Sequence, residues 1–225
     1  MTEIVAPKPY IYVFEHLDNH IKWLSRLLII LAVMSAIAVV TGYVEHVILV
    51  EISAGGGGDS LVARAEASDF SQLVIGWCQM LISILTVITF AYWIIRACRN
   101  VHAMSKSESK LSFSPAWSVG WYCIPIANLW KPYQAMRQIW NISEDASSNP
   151  DRPGSSLLAL WWFVFLVDST IGRVAFKYAL KAETLDQLLT SNVITMISDG
   201  FGIVAIIVAL KLITTIQSFQ SKYVP

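Results

Sequence analysis

Phe70-Ser-Gln-Leu-Val-Ile-Gly-Trp-Cys-Gln-Met-Leu-Ile-Ser-Ile-Leu-Thr-Val-Ile-Thr-Phe-Ala-Tyr-Trp-Ile-Ile95 is the longest stretch of the chain without a charged residue. A helix needs about 20 apolar residues to cross a bilayer, so this run is long enough to span with some tilt. Asp69 precedes it, and Arg96, Arg99, Lys106 and Lys110 follow with Glu108 as the one acid among them. Basic residues crowding one end of a span mark the cytoplasmic side. The rest of the composition agrees. Of 225 residues, 55% are hydrophobic and 14% charged, against about 25% charged in soluble domains, and mean hydropathy is +0.55. Lys plus Arg balances Asp plus Glu at 16 each, so no overall field points to nucleic acid or an acidic partner.

Working outward, the fold class expected is all-α: a polytopic transmembrane bundle with spans near 24–44, 72–95, 157–179 and 193–216. Ala32, Ser35, Ala36 and Ala38 make the first span small-sided, which favours close helix packing. Tyr10, Val13, Phe14, Leu17, Ile21 and Leu24 recur at helical spacing, predicting an amphipathic interfacial helix over Tyr10–Leu24. The domain division that follows is 1–23 as an interfacial segment and 24–225 as one bundle. No short apolar run with a small-residue cleavage site opens the chain, so no cleavable signal is expected. The connection Glu51–Asp69 holds Gly55-Gly56-Gly57-Gly58, a flexible linker by composition and, lacking a following Lys-Ser/Thr, not a phosphate loop.

The last two spans contain charges: Asp168, Arg173 and Lys177 in one, Asp199 and Lys211 in the other. Ionisable residues at membrane depth are costly and face the bundle interior. In an antiparallel hairpin Arg173 and Asp199 lie at equal depth, so an ion pair between them is expected. Asp168 falls near the midplane with no partner evident. His16 and His20 have metal-ligand spacing but no third ligand nearby. Cys78, Cys98 and Cys123 are too scattered for a disulfide framework or zinc site, and no metal or other cofactor is expected.

Between the second and third spans runs Ser114-Pro-Ala-Trp-Ser-Val-Gly-Trp-Tyr-Cys-Ile-Pro-Ile-Ala-Asn-Leu-Trp-Lys-Pro-Tyr133, uncharged up to Trp130. Pro125 breaks or kinks any helix through it, and non-helical backbone at membrane depth must be covered by protein or line a wet cavity. The segment therefore reads as an internal centrepiece, either re-entrant over 115–130 or a kinked fifth crossing. Re-entry puts 12 of the 16 Lys and Arg residues on the cytoplasmic side, crossing only 10, so re-entry is preferred, with the N-terminus cytoplasmic in both cases. Beyond it, Pro132 suits a helix's first turn, and Met136, Ile139 and Trp140 share one face of a surface helix, with Gln134, Arg137, Gln138 and Asn141 on others. Residues Glu144–Ser155 read as a polar loop.

Pro115, Trp117, Val119, Trp121, Pro125, Ile126, Asn128, Leu129 and Pro132 stand in an order that resembles the hallmark of a bacterial membrane family, domain of unknown function 4328. Trp93, Arg96 and Asn100 resemble that family's Trp-x-x-Arg-x-x-x-Asn element, and the likeness covers about Leu73 to Ala179. The family has no assigned reaction, so the resemblance implies architecture. Trp117, Trp121 and Trp130 are expected to pack or sit at the interface, with ligand stacking the alternative. Arg96 and Asn128 are the candidates for specific hydrogen bonds, Arg96 to carbonyls freed by Pro125 or Pro132. No catalytic constellation is read from the sequence: no Ser or Cys is matched to a His as a nucleophile–base pair, there is no His-Glu-x-x-His, and no paired carboxylates occur at a plausible spacing, so no enzyme is expected. Two functions remain. One is an inner-membrane module contacting lipids, a second copy or another membrane protein. The other is a small oligomeric transporter or channel subunit using Asp168 and the segment around Pro125.

Overall fold

The protein is described by a computed structural model over residues 12–105 and 111–223. Among these residues there are six α-helices and no strand: α1 (Asp18–Ser53), α2 (Asp59–Met104), α3 (Trp117–Gly120), α4 (Lys131–Glu144), α5 (Ser156–Ala179) and α6 (Leu185–Gln220). Helices α1, α2, α5 and α6 are each long and apolar enough to cross a membrane. They correspond to the four expected spans, and three overrun their apolar cores. At 1.5 Å per residue the 46 residues of α2 extend about 69 Å, against a hydrocarbon thickness of about 30 Å.

Residues group into two compact units that interleave along the chain rather than following one another. The first contains residues 19–90 and 155–214, and is a bundle of α1, α2, α5 and α6. Its helices meet through small residues and a few polar ones. A Cβ added at Gly42 would come within 2.9 Å of Met196 Cγ, so α1 and α6 approach closely there. One turn of hydrogen bonds marks each level: Asn192 Nδ2 donates to Gly42 O (3.0 Å) and Glu45 Oε2 (3.1 Å). Two helical turns away, Gln79 Nε2 donates to Asp199 Oδ1 (3.0 Å) and reaches Ser35 Oγ (3.5 Å). The outward faces are the reverse: Ile29, Val33, Val40, Leu81 and Val87 are exposed. Such surface costs about 25 cal/mol per Å² in water and nothing comparable in lipid, which is why these helices belong in a membrane.

The second unit contains residues 12–18, 91–105, 111–154 and 215–223. Here the end of α2, the end of α6 and all of α4 surround a core of Trp93, Met136, Ile139 and Ile142. In the first unit, Ser155 caps α5, its side chain accepting from Leu158 N at 3.3 Å.

Several expectations are corrected. Residues 12–17 are not helical, and α1 starts at Asp18; residues 10 and 11 lie outside the described ones. The apolar rhythm there is real, but the backbone of Glu15 is held by a side chain of α2 and cannot form helical bonds. The Gly run is not a long linker. α1 ends at Ser53 and α2 starts at Asp59, and Gly55 (φ 86°) and Gly58 (φ 111°) make the turn between them in left-handed backbone. Helix α4 begins with Pro132 in its first turn as expected, and Met136, Ile139 and Trp140 are buried. Gln138 and Asn141, placed on other faces, are buried too, so α4 is surrounded rather than lying on a surface.

Candidate functional site

The unit built on α4 has to hold three irregular segments, and irregular backbone leaves donors and acceptors that must find partners once buried. Buried carboxamides supply them, because an amide side chain presents the same donor and acceptor as a peptide group. Asn100 on α2 accepts from Glu15 N (3.0 Å) and donates to Glu15 O (2.9 Å) and Gln220 Oε1 (2.9 Å). Gln220 at the end of α6 then donates to Ala97 O (3.2 Å) and Ser143 Oγ (2.9 Å). One pair of amides thus joins residues 12–17, α2, α4 and α6. Gln138 on α4 accepts from Ser112 N (2.8 Å) and Phe113 N (3.3 Å). Asn141 donates to Pro150 O (3.0 Å) and Arg152 O (2.9 Å), fixing the polar loop. The Phe113 carbonyl also meets His102 Nε2 at 3.0 Å and Cys98 Sγ at 3.7 Å.

On this scaffold lies the Pro/Trp segment. Its longest regular piece is the four-residue α3, followed by 3₁₀ turns at Trp121–Cys123 and Ala127–Leu129. It contains no helix long enough to cross. Backbone bonds freed by Pro125 are remade locally: Asn128 N donates to Ile124 O (2.8 Å), Leu129 N to Ile126 O (3.1 Å) and Trp130 N to Ala127 O (3.2 Å). Pro115, Ser118 and Pro132 face inward and are buried, with Ser118 Oγ donating to Pro115 O at 2.6 Å. The tips face out. Trp117 is 51% exposed, Ile126 71%, Leu129 55% and Trp130 44%. The segment is therefore not the covered centrepiece expected from its composition. It forms a platform of large apolar side chains over a buried base of Pro115, Ser118 and Pro132, while Pro125 is exposed among the tips. Trp117 and Trp121 lie with ring centroids 4.8 Å apart, and Lys131 Nζ sits 5.6 Å from the Trp121 ring and 5.5 Å from that of Phe113. The Tyr122 oxygen is shielded from solvent, and burial pushes its phenol upward, so it stays neutral.

The other candidates fall into place around this. Arg96 does not reach the carbonyls near Pro125 or Pro132; it forms an ion pair with Glu15 and lies 6.0 Å from the Tyr92 ring. The Ile124, Ile126 and Ala127 carbonyls are taken up instead by the local turns. Asn128 is half-buried, with its side-chain oxygen shielded and without a hydrogen-bond partner among the described residues. Arg173 and Asp199 do not pair. The hairpin register is close to that expected, since a Cβ at Gly172 would lie 3.9 Å from Ser198 Oγ and one at Gly202 3.7 Å from Asp168 Oδ1. It is Gly172 that faces α6, and the next residue on a helix points about 100° away, so Arg173 is exposed while Asp199 turns to Gln79. Asp168 is half-buried against Gly202. His16 is exposed and His20 Nε2 lies 3.3 Å from Thr89 O, so the two do not act as a pair. Cys98 and His102 converge on one carbonyl from successive turns of α2.

Gln138, Asn141 and Gln220 were not candidates from sequence. Gln138 and Asn141 could have been found as amides beside an apolar stripe in α4, whereas the bond from Asn100 to Gln220 joins residues 120 apart and has no local signature.

The family model for a domain of unknown function, DUF4328, matches residues 59–218. The chain belongs to this family. The match extends well beyond the Leu73–Ala179 stretch on which the motif likeness rests, taking in all of α2 and nearly all of α6. Family membership covers Trp93, Arg96, Asn100 and the whole Pro/Trp platform, while residues 12–17, α1 and the glycine turn lie before the match. No curated protein and no solved structure matches the chain.

Proposed function

We propose that this DUF4328 member is a non-catalytic module of the bacterial cytoplasmic membrane that seats its Trp/Pro platform in the headgroup region, facing lipid or the juxtamembrane surface of another membrane protein. The observation that carries this reading is the outward orientation of Trp117, Ile126, Leu129 and Trp130 on a base fixed by buried prolines. Trp favours the membrane–water interface, where an apolar ring sits beside a polar layer, and Lys131 beside it suits anionic headgroups. The reading puts the N-terminus in the cytoplasm, and the support for it is the positive-inside rule applied to Arg96, Arg99, Lys131, Arg137 and Arg152, which share a unit with the platform. In this reading 115–130 leaves and rejoins one face of the membrane.

The test is depth. With a fluorophore on Ile126→Cys in a background free of native cysteines, protein in nanodiscs should be quenched by nitroxide lipids labelled near the headgroup. The same fluorophore at Ser147→Cys, in the polar loop, should be quenched by aqueous iodide instead. Quenching of position 126 by iodide alone would reject a lipid-facing platform.

A second reading, an oligomeric transporter or channel subunit, is favoured by Asp168 over Gly202 and by Asp199 beside Gln79 within apolar helices. Proton or cation flux in proteoliposomes that Asp168→Asn abolishes would support it. Flux no greater than that of empty liposomes would end it.

A further inference from the structure

Residues 12–17 are held in an unusual way for the edge of a core. We infer that the Arg96/Asn100 face of α2 is a recognition site for an irregular acidic peptide segment, filled here by the chain's own residues 12–17. Three features point there. The backbone of Glu15 is gripped at both its N–H and C=O by one carboxamide, that of Asn100, at 3.0 and 2.9 Å. Such a grip reads backbone and is indifferent to side chain, as strand-addition sites are. Sequence is read by Arg96, whose guanidinium takes the Glu15 carboxylate while its own side chain is 14% exposed and that of Glu15 53%. The ligand's acid is thus open to water and its receptor is not, the asymmetry of a bound group on a preformed site. Two aromatic residues preceding the acid make ring contacts, Tyr12 with His102 (5.1 Å) and Phe14 with Tyr223 (5.0 Å).

The boundary of the family match separates the two partners. Arg96, Asn100 and His102 lie inside residues 59–218, and residues 12–17 lie outside. Receptor and ligand therefore belong to different parts of the chain by sequence relationship as well as by geometry. The ligand class that fits is a peptide with an aromatic residue next to an acid, in a segment free of helix. Tethering gives residues 12–17, the strap, an effective concentration on the millimolar scale, so a partner's segment competes only when it binds well or when the strap is displaced.

The experiment uses the full chain in detergent and a fluorescein-labelled peptide of residues 12–18, Tyr-Val-Phe-Glu-His-Leu-Asp, read by anisotropy. A strap-weakened variant, Phe14→Ser with Glu15→Ala, should bind this peptide at least about tenfold more tightly than the wild type. Adding Arg96→Glu should abolish that binding and confer binding of the peptide whose Glu is replaced by Lys. A folded strap-weakened variant that binds no better than wild type overturns the inference. So does binding that ignores the charge swap, which would be adsorption to the micelle. A strap-weakened variant that fails to fold overturns it as well, because residues 12–17 would then be core rather than ligand. None of these results bears on how deeply Ile126 sits in lipid, so this inference and the platform reading fail separately.

Discussion

Asn100 uses every hydrogen-bonding group it has: its oxygen accepts from Glu15 N, and its two N–H bonds go to Glu15 O and Gln220 Oε1. Buried amides are stabilising when fully satisfied and costly when a partner is lost. Asn100→Ala should therefore lower stability by about 2–3 kcal/mol, read as a fall in thermal midpoint in detergent, because Gln220 and the Glu15 backbone lose their partners together. Asn100→Asp should be at least as damaging, since it removes both donors and buries a charge. At membrane depth the sharper comparison is between Asp199 and its two possible partners. A double-mutant cycle should find coupling of about 1 kcal/mol between Gln79 and Asp199 and none beyond error between Arg173 and Asp199. Coupling to Arg173 would mean that α5 is rotated from the position described. The sequence brought the two residues to neighbouring levels of the α5–α6 hairpin, because register follows from residue count. It could not show rotation, which depends on Gly172 being the residue small enough to face α6.

At the scale of elements, the turn between α1 and α2 gives a graded test. Gly55 and Gly58 occupy left-handed backbone, where a Cβ costs about 1–2 kcal/mol, so Gly55→Ala and Gly58→Ala should each destabilise by about that amount. Gly56→Ala should be worse, as its Cβ would stand 2.6 Å from the Glu51 carbonyl oxygen. Gly57→Ala meets nothing within 4 Å and should be close to neutral. Equal effects at all four would mean a flexible linker instead of a defined turn. Elements were legible wherever the signal was local: the apolar runs located the four long helices, although only α5 ends where its run does, and Pro132 and the Asn-Pro-Asp-Arg-Pro-Gly loop marked the start of α4 and the break before α5. They were illegible where a distant side chain decided. Residues 12–17 have a helical apolar rhythm, yet Asn100 diverts their backbone from 85 residues away. The Pro/Trp segment misled for another reason. Composition shows that it is apolar and broken, but not which side of each turn its tryptophans occupy, and burial of Pro115 and Pro132 leaves Trp117 and Trp130 outward.

For the whole molecule, four long helices with lipid-compatible outer faces define a membrane protein of the DUF4328 family. The Lys/Arg bias, the proline breaks and the span lengths carried that much from sequence alone. Division into two interleaved units was not legible, because it depends on amide bonds between segments far apart in the chain.

The most direct test of this account is cysteine labelling in sealed vesicles of known orientation, in a chain whose Cys78, Cys98 and Cys123 are replaced. Ser112→Cys and Ser147→Cys, both at exposed positions flanking the platform, should react with an impermeant maleimide from the cytoplasmic face, and Glu183→Cys, between α5 and α6, from the opposite face. Reaction of positions 112 and 147 from opposite faces would mean that residues 113–146 cross the bilayer, and would contradict both the topology and the interfacial platform built on it.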